Sequence, residues 1–207
     1  PDLAESFAVD AEYYFGPSLY VAPVVRRGQL SRTFWLPPGQ WFDWNTLEPV
    51  TGGARVTRSA PLVSIPVLLR SGGIVALLDP RVETLAPDDS STVFSMDDLA
   101  GTYDVRAAIG GDANRGRAEL VDGTVFDMTL VAGAVALPAD VVLAATEADL
   151  ATCARCGRID ALPGGVIRVR VSLAASLDAA VTIGALTLHH HSPGALQARW
   201  DVAVRSL

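Results

Sequence analysis

The sequence has no lysine: its sixteen basic residues are all arginine. Glutamate is scarce as well, six residues against seventeen aspartates. Without the long-chain helix formers Lys and Glu, surface helices have little to be built from. Val, Thr, Gly and Pro are plentiful and favour strands and turns. Apolar runs are short, and none reaches the ~18 residues a membrane helix needs, so no membrane partner is expected. Positive charge is in deficit, with a net charge of −7. The basic clusters, Arg26-Arg27 and Arg168/Arg170, are small, which excludes nucleic acid as a partner because phosphate neutralisation needs clustered cations. Two cysteines and three histidines leave few metal or redox arrangements. A chain half hydrophobic and 19% charged is neither a disordered tail, a collagen-like rod nor a coiled coil. It opens on Pro1 with no basic-then-apolar leader, so a piece of a longer product is expected, and the compartment stays open.

Apolar residues at helical spacing in 3–8 predict one short N-terminal helix, closed by Gly16-Pro17. The rest reads as β. Residues 19–25 are continuously apolar, as in a strand covered on both faces. Strands are further expected over 32–36, 40–44, 54–58, 66–70 and 74–78, separated by Gly and Pro pairs that set turn dihedrals. The polar stretch 86–91 reads as a linker. Charge shifts across it: seven Arg against eight acids before (−1), nine against fifteen after (−6). Beyond it, strands are expected over 102–109, 124–131, 141–146, 166–173, 185–190 and 199–204. In 166–173, Ile167, Val169, Val171 and Leu173 share one face, and Arg168 and Arg170 a solvated one. The fold class is all-β, two consecutive antiparallel β-sandwich domains.

Three stretches carry a resemblance. Tyr14-Phe15-Gly16-Pro17-Ser18-Leu19-Tyr20-Val21-Ala22-Pro23-Val24 is similar to the "FGPxLLVAPV" of glycoside hydrolase family 31, the α-glucosidase and α-xylosidase family. Phe34-Trp35-Leu36-Pro37-Pro38-Gly39-Gln40-Trp41-Phe42-Asp43 is similar to its "YLPxGxWYD". Ile65-Pro66-Val67-Leu68-Leu69-Arg70-Ser71-Gly72-Gly73-Ile74-Val75 is similar to "IPVFVRAGxIIP". All three occur in the family's order. The resemblance implies that residues 1–13 are the end of a catalytic (β/α)8 barrel, 14–85 a proximal sandwich and 92–207 a distal one. It implies that the barrel, which holds both catalytic Asp, is the partner and lies outside this chain. Two positions depart from the family: Ala76 stands where Pro is common, and Leu47 where Thr-Gly puts Gly after Thr46. Leucine tolerates positive φ poorly, so the turn 44–52 is expected to change shape.

No catalytic residue is assigned. Retaining hydrolysis needs two carboxylates ~5–5.5 Å apart. Phe126-Asp127-Met128 resembles the family's nucleophile context but falls after the proximal motifs, where chain order forbids that role. The adjacent pairs Asp88-Asp89 and Asp97-Asp98 sit in turn-like sequence and form no dyad by themselves. Trp35, Trp41 and Trp44 are the candidate sugar-binding residues, weighed against a role in core or interface packing, which is preferred. Cys153 and Cys156 form a CxxC, either a local disulfide, two thiols, or half of a metal site completed by His189 and His191, the two of the three successive histidines that share a strand face. No cofactor is expected. The function expected is that of C-terminal accessory domains supporting the barrel, with carbohydrate as a second partner. The alternative is a stand-alone carbohydrate-binding or adhesion module.

Overall fold

The computed structural model describes residues 11–87, 92–137, 139, 141–144, 146, 153, 155–173 and 178–205. The expected helix at 3–8 and the pair Asp88-Asp89 lie outside them. The first half forms β1 (Tyr13–Phe15), β2 (Leu19–Val21), β3 (Ser31–Leu36), β4 (Gln40–Asp43), β5 (Pro49–Thr51), β6 (Ala54–Ser59), β7 (Val67–Arg70) and β8 (Ile74–Leu78). Then come β9 (Val82–Thr84), β10 (Phe94–Ser95), β11 (Thr102–Ile109), β12 (Arg115–Glu119), β13 (Val125–Leu130) and β14 (Val142–Leu143). The last are β15 (Cys156–Leu162), β16 (Val166–Leu173), β17 (Asp178–Ile183), β18 (Leu186–His191) and β19 (Gln197–Arg205). The all-β class is observed.

These strands stack in four layers. A β3-β6 ribbon covers one face of a five-stranded sheet ordered β1-β2-β7-β4-β5. A six-stranded sheet, β14-β15-β16-β19-β11-β8, faces a four-stranded one, β12-β13-β18-β17. Strand alternation sends neighbouring apolar residues into different cores. Tyr20, Trp41 and Leu68 join Phe34 and Leu36 beneath the ribbon. Leu19, Phe42 and Leu69 point the other way and meet Ala108, Val166 and Ala203 of the six-stranded sheet. The third core, with Phe126, Val169, Leu188, Trp200 and Val202, lies between the two sheets of the second half. Residues 19–21 are thus covered on both faces, as their unbroken apolar run requires. The strand stops before Pro23, which has no N–H for the ladder.

One ladder crosses the expected linker. β8 belongs by sequence to the first half, yet it pairs antiparallel with β11, Ile74 opposite Ala107 and Leu78 opposite Tyr103. The chain changes sheet at Ser71-Gly72-Gly73, the end of the third motif. Gly72 takes φ +80°, and a Cβ there would stand 2.8 Å from the Arg115 carbonyl oxygen. Its N–H donates to the Ala108 carbonyl at 2.8 Å, and the Ala108 N–H donates to Gly73 at 3.1 Å.

The turn after β4 holds a leucine in the left-handed region. Leu47 adopts φ 60°, the conformation a glycine would take, and among the described residues no other non-glycine has positive φ. Asp43 Oδ1 holds the loop by accepting from the N–H groups of Asn45 and Thr46 at 2.9 and 3.1 Å. The Leu47 side chain, 4% exposed, is buried in the core between the two halves. Burial of about 1.5–3 kcal/mol offsets a left-handed penalty of roughly 1–2 kcal/mol.

Candidate functional site

The three candidate tryptophans occupy three environments. Trp41 is 1% exposed, and its Nε1 donates to the Pro37 carbonyl at 2.9 Å. Gly52 makes room for that latch, since a Cβ there would come within 1.9 Å of the Pro37 oxygen. Trp35 points away from Phe34 and Leu36 on the outer side of the ribbon and is half-buried. Trp44 packs at the edge of the inter-half core, under the guanidinium of Arg106. They form no common platform.

Cys153 and Cys156 are joined in a disulfide, so neither offers a free thiolate. Cys156 lies on the six-stranded sheet, whereas His189 and His191 lie on β18 of the four-stranded sheet. Among the described residues no three His, Cys, Asp or Glu side chains converge as a metal site. Asp127 is on the outer face of β13, cross-strand from Arg117 and His189. Arg117 Nη1 lies 3.2 Å from it and His189 Nδ1 3.8 Å. Asp98 accepts from the Ser95 hydroxyl and N–H at 2.7 and 2.8 Å, and those bonds hold its carboxyl below its ordinary value.

The structure assembles a charged face that the sequence reading did not isolate. On the six-stranded sheet, the side opposite the sandwich core is apolar where the first half covers it and densely charged beyond. The register aligns Arg158, Arg170, Asp201 and Arg106 in one row across four strands. Ser172, Arg199 and Asp104 form the next row. Arg168 makes a two-pronged contact with Asp201, Nε to Oδ1 at 2.8 Å and Nη2 to Oδ2 at 2.7 Å. Arg199 lies between two carboxylates, donating to Asp104 and Asp79 at 2.6 Å each. Arg170 donates to Asp160 at 2.6 Å. The solvated face expected for Arg168 and Arg170 is therefore corrected: Arg170 is only 7% exposed, and both sit in ion pairs. The charges at alternate positions of otherwise apolar strands, 104/106, 168/170 and 199/201, were the available signal.

The same network separates two carboxyl groups. Asp79, wholly buried, is held well below the usual carboxylate range, first by its hydrogen bond from Arg81 and then by Arg199. Asp104 is pushed up by burial, against the pull of Arg199. Next to these pairs a cavity of about 280 Å³ opens, walled by Arg106, Arg168, Arg170, Ser172, Arg199 and Asp201 among others.

A second surface feature is apolar. Tyr13, Tyr14 and Phe15 on edge strand β1 are at least half exposed, as are Leu62, Val63 and Ile65 in the loop before β7. No helix among the described residues is long and apolar enough to cross a membrane.

The fold thus defines an all-β module of stacked, largely antiparallel sheets. Its first 75 residues match the glycosyl hydrolase family 31 C-terminal domain. All three motif stretches fall inside that match. Alpha-glucosidase 2 of Bacillus thermoamyloliquefaciens is 30% identical over 93 residues, which is 45% of this chain and 12% of that protein. The alpha-xylosidase of Saccharolobus solfataricus is 32% identical over 74 residues, 35% of this chain and 10% of that protein. The chain therefore spans about a tenth of the length of these relatives. A solved structure, the cycloalternan-forming enzyme of Listeria monocytogenes, shares the fold over 89% of this chain and 19% of its own, with a TM-score of 0.55 and 18% identity.

Proposed function

We propose that this chain is the C-terminal accessory part of a family-31 glycoside hydrolase acting on α-glycosidic bonds, and that it supports a catalytic (β/α)8 barrel in the same polypeptide. In this reading residues 1–13 run out of the barrel. Residues 14–85 form the proximal module and 92–207 the distal one, with β8 lent across the boundary. The observation that carries it is where the motif residues lie. Tyr20, Phe34, Trp41, Phe42, Leu68 and Leu69 fill cores, and Gly72 turns the chain between sheets. These residues set packing and backbone geometry and transfer no protons. The exposed apolar residues of β1 and of the loop 62–65 support a surface that another domain covers.

A stand-alone sugar-binding module would need exposed rings side by side. Trp41 in the core and Trp44 under Arg106 do not supply them. The proposal is tested by incubating the purified chain with aryl α-glucoside, aryl α-xyloside and maltose. No turnover is expected: retaining hydrolysis needs two carboxylates about 5–5.5 Å apart on either side of an anomeric carbon. Among the described residues the one carboxyl raised by burial, Asp104, is tied to Arg199 instead. Turnover that survives repurification and is lost in Asp127→Asn would overturn it.

A further inference from the structure

Arg58 stands directly opposite Arg32 in the β3-β6 ribbon, and Phe34 opposite Val56 lies two positions further along. Thr33 and Thr57 share a hydroxyl contact on the ribbon's outer face, so strand alternation turns both arginines inward. Like charges directly opposite each other repel. Arg32 donates to Glu12 at 3.0 Å, and both of those side chains are largely buried. Arg58 has neither a hydrogen bond nor an ion pair among the described residues, and its Nε is sealed from solvent. Its Nη groups are not sealed, so the open end of the guanidinium reaches the surface.

Beyond this pair the ribbon ends in two loops lying side by side. The Ala60 N–H donates to the Leu30 carbonyl at 2.8 Å, and the Ala22 N–H to that of Pro66 at 2.9 Å. Leu30, Leu62, Val63 and Ile65 are exposed here, Leu62 and Val63 almost completely. The first loop adds Arg26 and Arg27, both exposed. The chain reaches β1 at this same end, because Tyr13 pairs with Val21 and Glu12 meets Arg32. An exposed apolar patch rimmed by charge marks a surface that a partner covers. Residues 1–75 match a C-terminal domain, and this chain spans about a tenth of its relatives. In the accessory reading nearly all of the polypeptide therefore precedes residue 1 and joins the module at this end.

We infer that this loop end docks on the catalytic domain preceding it in the same polypeptide, with Leu62 and Val63 covered by apolar side chains and Arg58 paired with an Asp or Glu carboxylate of that domain. The inference rests on the accessory reading and names the contact that anchors it.

The test uses the absence of lysine from residues 1–207. In the full-length polypeptide, Arg58→Lys introduces an amine that carbodiimide couples to a carboxylate within ion-pair reach, and mass spectrometry of the digest locates the partner. A cross-link from position 58 to a carboxyl of the preceding domain is expected. Arg55→Lys, opposite Trp35 on the ribbon's outer face, should give none. Arg58→Met should leave the unfolding midpoint of the 207-residue chain unlowered, since it removes a sealed donor without an acceptor and a like charge facing Arg32. In the full-length protein the same substitution should lower the midpoint of this module by about 2–4 °C. A cross-link confined to the module, equal coupling from position 55, or the same Arg58→Met effect in both forms would overturn the inference and leave the accessory reading standing. Co-sedimentation of the full-length protein with phosphatidylserine vesicles, lost in Arg58→Met, would assign this end to a membrane and overturn it as well. A gene that encodes no preceding domain would defeat the accessory reading itself, and this inference with it.

Discussion

Arg106 stacks on Trp44 and donates to its carbonyl across 62 residues of sequence, tying the end of β4 to the middle of β11. The contact joins the two halves at the margin of their shared core. Arg106→Ala and Trp44→Ala should each destabilise the chain. A double-mutant cycle by chemical denaturation should return a coupling of about 0.5–2 kcal/mol. Additive effects would mean that the stacking contributes nothing.

Leu47 supplies a reversal of the usual glycine penalty. Leu47→Ala keeps the left-handed strain and loses the buried side chain, a cost of about 2–5 kcal/mol. Leu47→Gly loses the same side chain but relieves roughly 1–2 kcal/mol of strain. The Gly variant should be at least as stable as the Ala variant in denaturant. The ordinary order, Gly below Ala by about 0.5–1 kcal/mol, would contradict the assigned backbone.

Trp41→Ala should destabilise by about 3–5 kcal/mol, since it empties a core position and strands the Pro37 carbonyl. Trp35→Ala, on the outer side of the ribbon, should cost clearly less. Denaturation midpoints that rank the two the other way would return Trp41 to the surface.

How far the sequence reached depends on what holds each element. Period-two alternation identified β16 to its end residues, because it has one face in a single apolar core, and β11 occupies the residues expected for it. The start of the apolar run, 19–22, and the ring-bearing motif at 34–44 were legible as doubly covered or core-forming sequence for the same reason, whereas Val25 at the end of the run is exposed. β12 and β15 were not legible: Arg115–Glu119 and Cys156–Leu162 mix charge and small residues, and cross-strand partners stabilise them. The pairing of β8 with β11 could not be read, because it depends on where the Gly72-Gly73 turn aims the chain. The charged face was hidden too. Each Arg and Asp looked like a solvated strand position until register set them side by side.

Asp79 makes stability depend on pH. Its carboxyl is held below the unfolded value of about 3.9 by Arg81 and Arg199, so the unfolded chain binds more protons in acid. The stabilisation is complete above about pH 5 and is lost as pH falls through the depressed folded value. Asp79→Asn should be less stable than wild type at pH 7, and its stability should fall less steeply below pH 5. Parallel acid limbs in urea titrations would show that Asp79 does not contribute.

The account's central claim is that this chain supports a catalytic barrel from within one polypeptide. An antibody raised against the 207-residue chain and used on a denaturing blot of the source cells measures that directly. The account predicts a band several times the mass of this chain, in keeping with relatives of which it spans about a tenth. A single band at the mass of the 207-residue chain would contradict it and favour the stand-alone module.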